Sequence, residues 1–274
     1  MTVRDQQSRL LADPPGFDTF HSASPDIGRP FAGCRLKGRI ALICGGDADA
    51  MLSVARHFAA EGAQIAICSP DADSIASATS QAMRASGHEV LQLRSGCNKP
   101  ANVMHLITTV VEHYGGLDIL VSCLAPVEEP GIDALGTIEA TLRKSVIPCL
   151  YLMTAALPYL PAGGNVINLS FVDSDGAPGC DRVAAESAIY AMTKYFARTA
   201  APRRIRVNAV ICASPPGPPP AAGSVSRRAG TGPHQAHHDN HYEIGPACVF
   251  LASRDGGCIT GETIHIYRGA QAHG

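Results

Sequence analysis

From Leu36 onward, short and mainly apolar runs alternate with longer stretches in which apolar positions recur every three or four residues. The short runs are bounded by glycine, proline and polar residues and rich in Ile and Val, so they predict strands. These fall at Ile40–Cys44, Gln64–Cys68, Glu89–Leu93, Ile119–Ser122, Asn165–Leu169, Arg206–Val210 and Thr263–Ile266. The longer stretches predict helices near 50–61, 74–85, 101–114, 138–157, 184–200 and 244–252, with Gly62, Gly87 and Gly115 set to stop the first three. Strands that are apolar on both faces, each followed by a helix, belong to a parallel sheet covered on both sides. The expected fold is therefore α/β, a doubly wound parallel sheet of about seven strands.

Two segments break this rhythm. Residues 1–35 are polar and interrupted by Pro14, Pro15, Pro25 and Pro30, which reads as an extended arm before a single domain at 36–274. Residues 213–241 run ASPPGPPPAAG, SVSRRAGTG and PHQAHHDNH, a low-complexity excursion expected to lie on the surface over the ligand crevice of such a fold.

Composition narrows the classes. With 274 residues and 46% hydrophobic content, the chain can bury one substantial core. A net charge of -2 without a long basic run argues against nucleic acid or an anionic membrane as partner, leaving small molecules and proteins. The ten cysteines form no C-x-x-C pair, so no metal is expected; they read as reduced thiols of a cytoplasmic protein, with no signal peptide or membrane span. His234, His237, His238 and His241 have helical spacing but follow Gly232-Pro233, and read as a solvated polar loop. Arg203, Arg204, Arg206, Arg227 and Arg228 read as solvated charge.

Five landmarks then appear in order: LKGRIALICGGDADAMLSVARHFAAEGAQIAI, GGLDILVSCLA, GGNVINLS, RIRVNAV and FLASRDGGCITGETIHI. Together they resemble the short-chain dehydrogenase/reductase family over about residues 36–269, and the GGD after the first strand is similar to its glucose/ribitol dehydrogenase-like cytosolic branch. The resemblance implies a Rossmann-type fold, a nicotinamide nucleotide at the first strand-to-helix turn, and a catalytic Asn, Ser, Tyr and Lys.

Several of these positions depart from the family pattern. The phosphate loop keeps Gly45 and Gly46, but its second and third motif glycines are replaced by Asp49 and Met51, and Ser69-Pro70 stands where an acidic or basic ribose anchor is usual. The aligned catalytic positions hold Ser145 for Asn, Phe171 for Ser, Arg182 for Tyr and Glu186 for Lys, counting back without a gap from RIRVNAV. Tyr190 and Lys194 have the Tyr-x-x-x-Lys spacing, but eight residues further along the helix. The resulting expectation is a non-catalytic regulator or partner subunit with no bound cofactor. It would form a homo- or hetero-oligomer, including with a catalytically intact member of the family. The crevice could also serve a small ligand in cofactor-independent chemistry, using Arg182, Glu186, Asp173 or Asp175. The alternative is an NAD(P)-dependent oxidoreductase acting on a carbonyl or alcohol through Tyr190 and Lys194.

Overall fold

The run IALICG has a hydrophobic side chain at every position but the last, and it forms the strand β1 (Ile40–Gly45), in the interior of the sheet. The structure, a computed structural model, describes residues 33–45, 48–69, 75–123, 139–173, 180–214 and 238–266. The expected arm up to residue 32, Gly46 and the stretch 215–237 lie outside the described residues. After β1 come α1 (Ala48–Ala60), β2 (Gln64–Ser69), α2 (Ile75–Ala85), β3 (Val90–Arg94), α3 (Pro100–Tyr114), β4 (Ile119–Cys123) and α4 (Ile147–Ala156). They are followed by β5 (Asn165–Asp173), α5 (Cys180–Ala200), β6 (Arg206–Ser214), α6 (His238–Ala252) and β7 (Thr263–Ile266).

All pairings are parallel and the strand order is β3-β2-β1-β4-β5-β6-β7, so the chain reverses direction across the sheet between β1 and β4. Strand side chains alternate between two buried clusters. Leu42, Cys44, Leu120 and Val166 pack with α3, α4 and α5, whereas Ala41, Ile43, Val121 and Ile167 pack with α1, α2 and α6. Both faces are thus dry, as the unalternating strand sequences require.

Some boundaries differ from the sequence expectation, each for a physical reason. The single helix expected over 138–157 is divided: Leu142–Val146 forms a π turn, with the Ile147 N–H bonding to the Leu142 carbonyl, before α4 begins. Pro148 has no N–H to donate to the carbonyl four residues back, and a wider turn relieves that gap. β5 and β6 run on to Asp173 and Ser214 because they pair with each other over nine residues, so Ala213 and Ser214 belong to the sheet rather than to the low-complexity stretch. α6 starts at His238, six residues before the apolar period does, which puts His238 and His241 in a helix and corrects the loop reading for these two. His234 and His237 fall outside the described residues.

The crossing of α1 and α6 covers one face beside the crevice. A Cβ on Gly245 would overlap the His57 ring, which is itself held by Nδ1 at 2.8 Å from the Ser53 carbonyl. The Gly245 N–H donates to Ser53 Oγ at 3.2 Å across the same contact.

Candidate functional site

Ligands of open parallel sheets bind beyond the carboxyl ends of the strands, where the strand order reverses. Here that point lies between Gly45 of β1 and Cys123 of β4, which are register partners. No side chain fits at Gly45, because a Cβ would overlap the Cys123 carbonyl and Cβ. The retained glycine therefore closes the two strand ends at the mouth of the crevice.

The two substituted loop positions have different consequences. Met51 is fully buried among Phe58, Ala55 and the other residues of the α1 face, so its bulk is taken up by the core and stays out of ligand space. Asp49 sits in the first turn of α1, where its carboxylate complements the helix dipole. The same helix end would meet a pyrophosphate, so Asp49 brings negative charge to the place a phosphate needs. At about 5 Å and an effective dielectric of about 20, one such pair costs on the order of 3 kcal/mol.

At the end of β2, Ser69 is fully buried and its Oγ has no hydrogen-bond partner among the described residues. An orphaned hydroxyl at this edge of the crevice suits a ribose hydroxyl. The residues present thus fit a nicotinamide nucleotide on its ribose side and resist it on its phosphate side.

On the reaction side, the buried Asn168 fixes α5 to β5. Its Nδ2 donates to Thr193 Oγ1 at 3.0 Å, and its Oδ1 accepts from Cys149 Sγ of α4 at 3.3 Å. Ser170, two residues further along β5, shares this α5 face and is nearly buried. Phe171 turns to the other face and packs against the α1/α6 cluster. Ser145 is buried within the π turn, and Glu186 lies half-buried on α5. Arg182 belongs to the first turns of α5, close to Asp181, whose carboxylate accepts from Thr141 Oγ1 at 2.7 Å.

Tyr190 and Lys194 stay together on α5, with the Lys194 ammonium 5.7 Å from the Tyr190 ring centre. The structure does not bring them to β5. Tyr190 is 37% exposed and its ring lies 6.4 Å from that of His265 on β7. His265 pairs with Ile211, which pairs with Ser170, so two strand spacings of about 4.8 Å separate them. In the sequence Ser170 stands one residue before Phe171 and, if the strand continues, points to the opposite side; the strand does continue, to Asp173.

A pocket of about 520 Å³ lined by Arg39, Arg204, Arg206 and Arg254 opens at the opposite, amino-terminal end of β5 and β6. Its charges serve the fold: Arg206 donates to the carbonyls of Ser253 at 2.9 Å and Gly256 at 2.7 Å, and Arg39 pairs with Asp118 at 2.8 Å.

The fold and crevice can be set beside known proteins. A family model described as "Enoyl-(Acyl carrier protein) reductase" matches residues 52–271. The chain belongs to the short-chain dehydrogenase/reductase family. It is 30% identical over 249 residues to the uncharacterized oxidoreductase YhdF of Bacillus subtilis, covering 86% of this chain and 84% of that protein. It is 26% identical to the glucose and ribitol dehydrogenase of Daucus carota, covering 95% of each. A short-chain dehydrogenase from Burkholderia cenocepacia, solved in complex with NADP, superposes with a TM-score of 0.71 at 25% identity, over 87% of this chain and 100% of that one. The relatives are named oxidoreductases and dehydrogenases, which supports the oxidoreductase alternative over the partner-subunit reading. The expectation that no cofactor binds finds no support among them.

Proposed function

We propose that this chain is an NAD(P)-linked oxidoreductase acting on a carbonyl or alcohol, with a nucleotide affinity lowered by Asp49. The observation that carries the reading is the crevice at the β1–β4 reversal, closed by Gly45 and edged by the orphan hydroxyl of Ser69, in a chain whose relatives are named oxidoreductases. Gly45 and Ser69 would hold the nucleotide. When bound, the nucleotide supplies or accepts the hydride. Ser170 would donate its O–H to the substrate oxygen, orienting the carbonyl and stabilising negative charge there, and water would supply the proton that completes the alcohol. Tyr190 and Lys194 have no part in this step.

The test is a fluorescence titration of NADPH with the purified chain, followed by the Asp49→Asn variant. Saturable quenching is expected, with affinity rising at least tenfold and up to about 100-fold on removing the charge. No saturation with either protein, even at millimolar nucleotide, overturns the reading.

A second reading, a non-catalytic partner subunit, is favoured by one observation. Leu150 on α4 and Val183 and Tyr195 on α5 are exposed large hydrophobics on neighbouring helices, suited to another subunit. Failure of nucleotide binding together with a dimer or tetramer by light scattering would favour it.

A further inference from the structure

Three cysteines that no sequence spacing connects converge beside the crevice. Cys44 of β1 is the register partner of Cys68 of β2, so their side chains leave the sheet on the same face, toward α3. Cys97 lies between β3 and the start of α3 and packs against that cluster. The three Sγ atoms all lie within 4.8 Å of one another. Cys44 and Cys68 are buried and Cys97 is half-buried, leaving one side approachable. Cys68 Sγ donates to the Ser95 carbonyl at 3.3 Å, which orients the sulfur within the group.

Buried cysteines are ordinarily small hydrophobes. A trio at this separation is different, because three sulfurs about 2.3 Å from a common ion stand roughly 4 Å apart. Closing on an ion therefore asks for movements of about 1 Å or less.

We propose that Cys44, Cys68 and Cys97 bind one thiophilic metal ion, zinc or cuprous copper, as three thiolates. Zinc would complete its tetrahedron with water or an outside donor; cuprous copper is satisfied by three sulfurs. Thiols must lose their protons to bind as thiolates, so ion binding releases protons and strengthens as pH rises. Three thiolates on Zn²⁺ leave one negative charge, which the amino-terminal end of α3, beginning at Pro100 just past Cys97, helps to offset. The site goes beyond the nucleotide reading and does not depend on it.

The experiment uses the reduced full-length chain stripped of metal by chelator. Cadmium is titrated in while the sulfur-to-metal charge-transfer absorbance is followed. Zinc and cuprous ion are then each measured by competition with a chromogenic chelator, which names the preferred ion. One equivalent per chain is expected, with protons released in weak buffer and affinity falling at least tenfold in Cys97→Ser. Cys258→Ser, an exposed cysteine outside the cluster, should leave binding unchanged. Circular dichroism checks that the variants fold. The proposal is overturned by the absence of a saturable band, by a band that survives Cys97→Ser, or by a disulfide among the three cysteines in the reduced preparation. NADPH titration of the same samples keeps the two inferences apart, since nucleotide binding should persist in the folded Cys97→Ser protein.

Discussion

At the scale of single residues, one step along β5 separates a candidate catalytic group from a packing group. Ser170 and Phe171 are adjacent, but the strand sends the first toward α5 and the second toward the α1/α6 cluster. The proposed role of Ser170 predicts that Ser170→Ala lowers turnover by about 10²–10³-fold with little change in nucleotide affinity. The position of Tyr190 over β7 predicts that Tyr190→Phe leaves turnover within a factor of about two. Steady-state kinetics on both variants, with an aldehyde panel and NADPH, check the pair; an inactive Tyr190→Phe protein would refute the assignment. The motif Tyr-x-x-x-Lys was plain in the sequence, but spacing along a helix does not say which strand the helix face lies above. The same limit hid the three-cysteine cluster, whose members come from two strands and the connection after a third.

Elements are held in place by contacts that the hydrophobic period does not reveal. The period located all seven strands, because the interior ones have to be apolar on both faces and the short edge strands β3 and β7 still carry alternating apolar residues. It missed the π turn before α4, the last residues of β5 and β6 and the first turns of α6, which depend on a proline, on strand pairing and on polar helix residues. Gly245 is a case in which a helix tolerates a poor helix former for the sake of its neighbour. Gly245→Ala gains intrinsic helix propensity of about 1 kcal/mol. It must then displace the His57 ring at the α1 crossing, a clash worth typically 1–3 kcal/mol. Urea unfolding should therefore give a variant equal to or less stable than the parent, by up to about 2 kcal/mol; a clearly stabilised variant would mean that the helices can separate without cost.

For the molecule as a whole, one arginine joins two distant elements. Arg35 pairs with Glu61 at the end of α1 and with Asp255 beyond α6, and the Glu61 carboxylate also accepts from the backbone N–H groups of Cys34 and Arg35. The hydrogen bond from Arg35 holds the Glu61 carboxyl below its ordinary pKa, and the Glu61 side chain is only 15% exposed. A depressed folded-state pKa contributes stability above the unfolded value, near 4.3, and that contribution is lost as pH falls through the lower folded value. Glu61→Gln should therefore be less stable than the parent at pH 7, by about 1–2 kcal/mol, with the difference closing below about pH 4. Melting temperatures of both proteins across that range test it, and a pH-independent gap would remove the ionic explanation. Among the described residues no helix is long and apolar enough to cross a membrane, in keeping with the absence of long apolar runs. The sequence by itself determined the doubly wound class, the strand count and the family, because these rest on local period, turn residues and landmark order, all of which act along the chain. Only the tertiary structure decided that Met51 belongs to the core, that Tyr190 lies over β7 while Ser170 faces α5, and that three scattered cysteines meet. Each of those depends on distance between strands, which parallel register and helix crossing set and which no local pattern encodes.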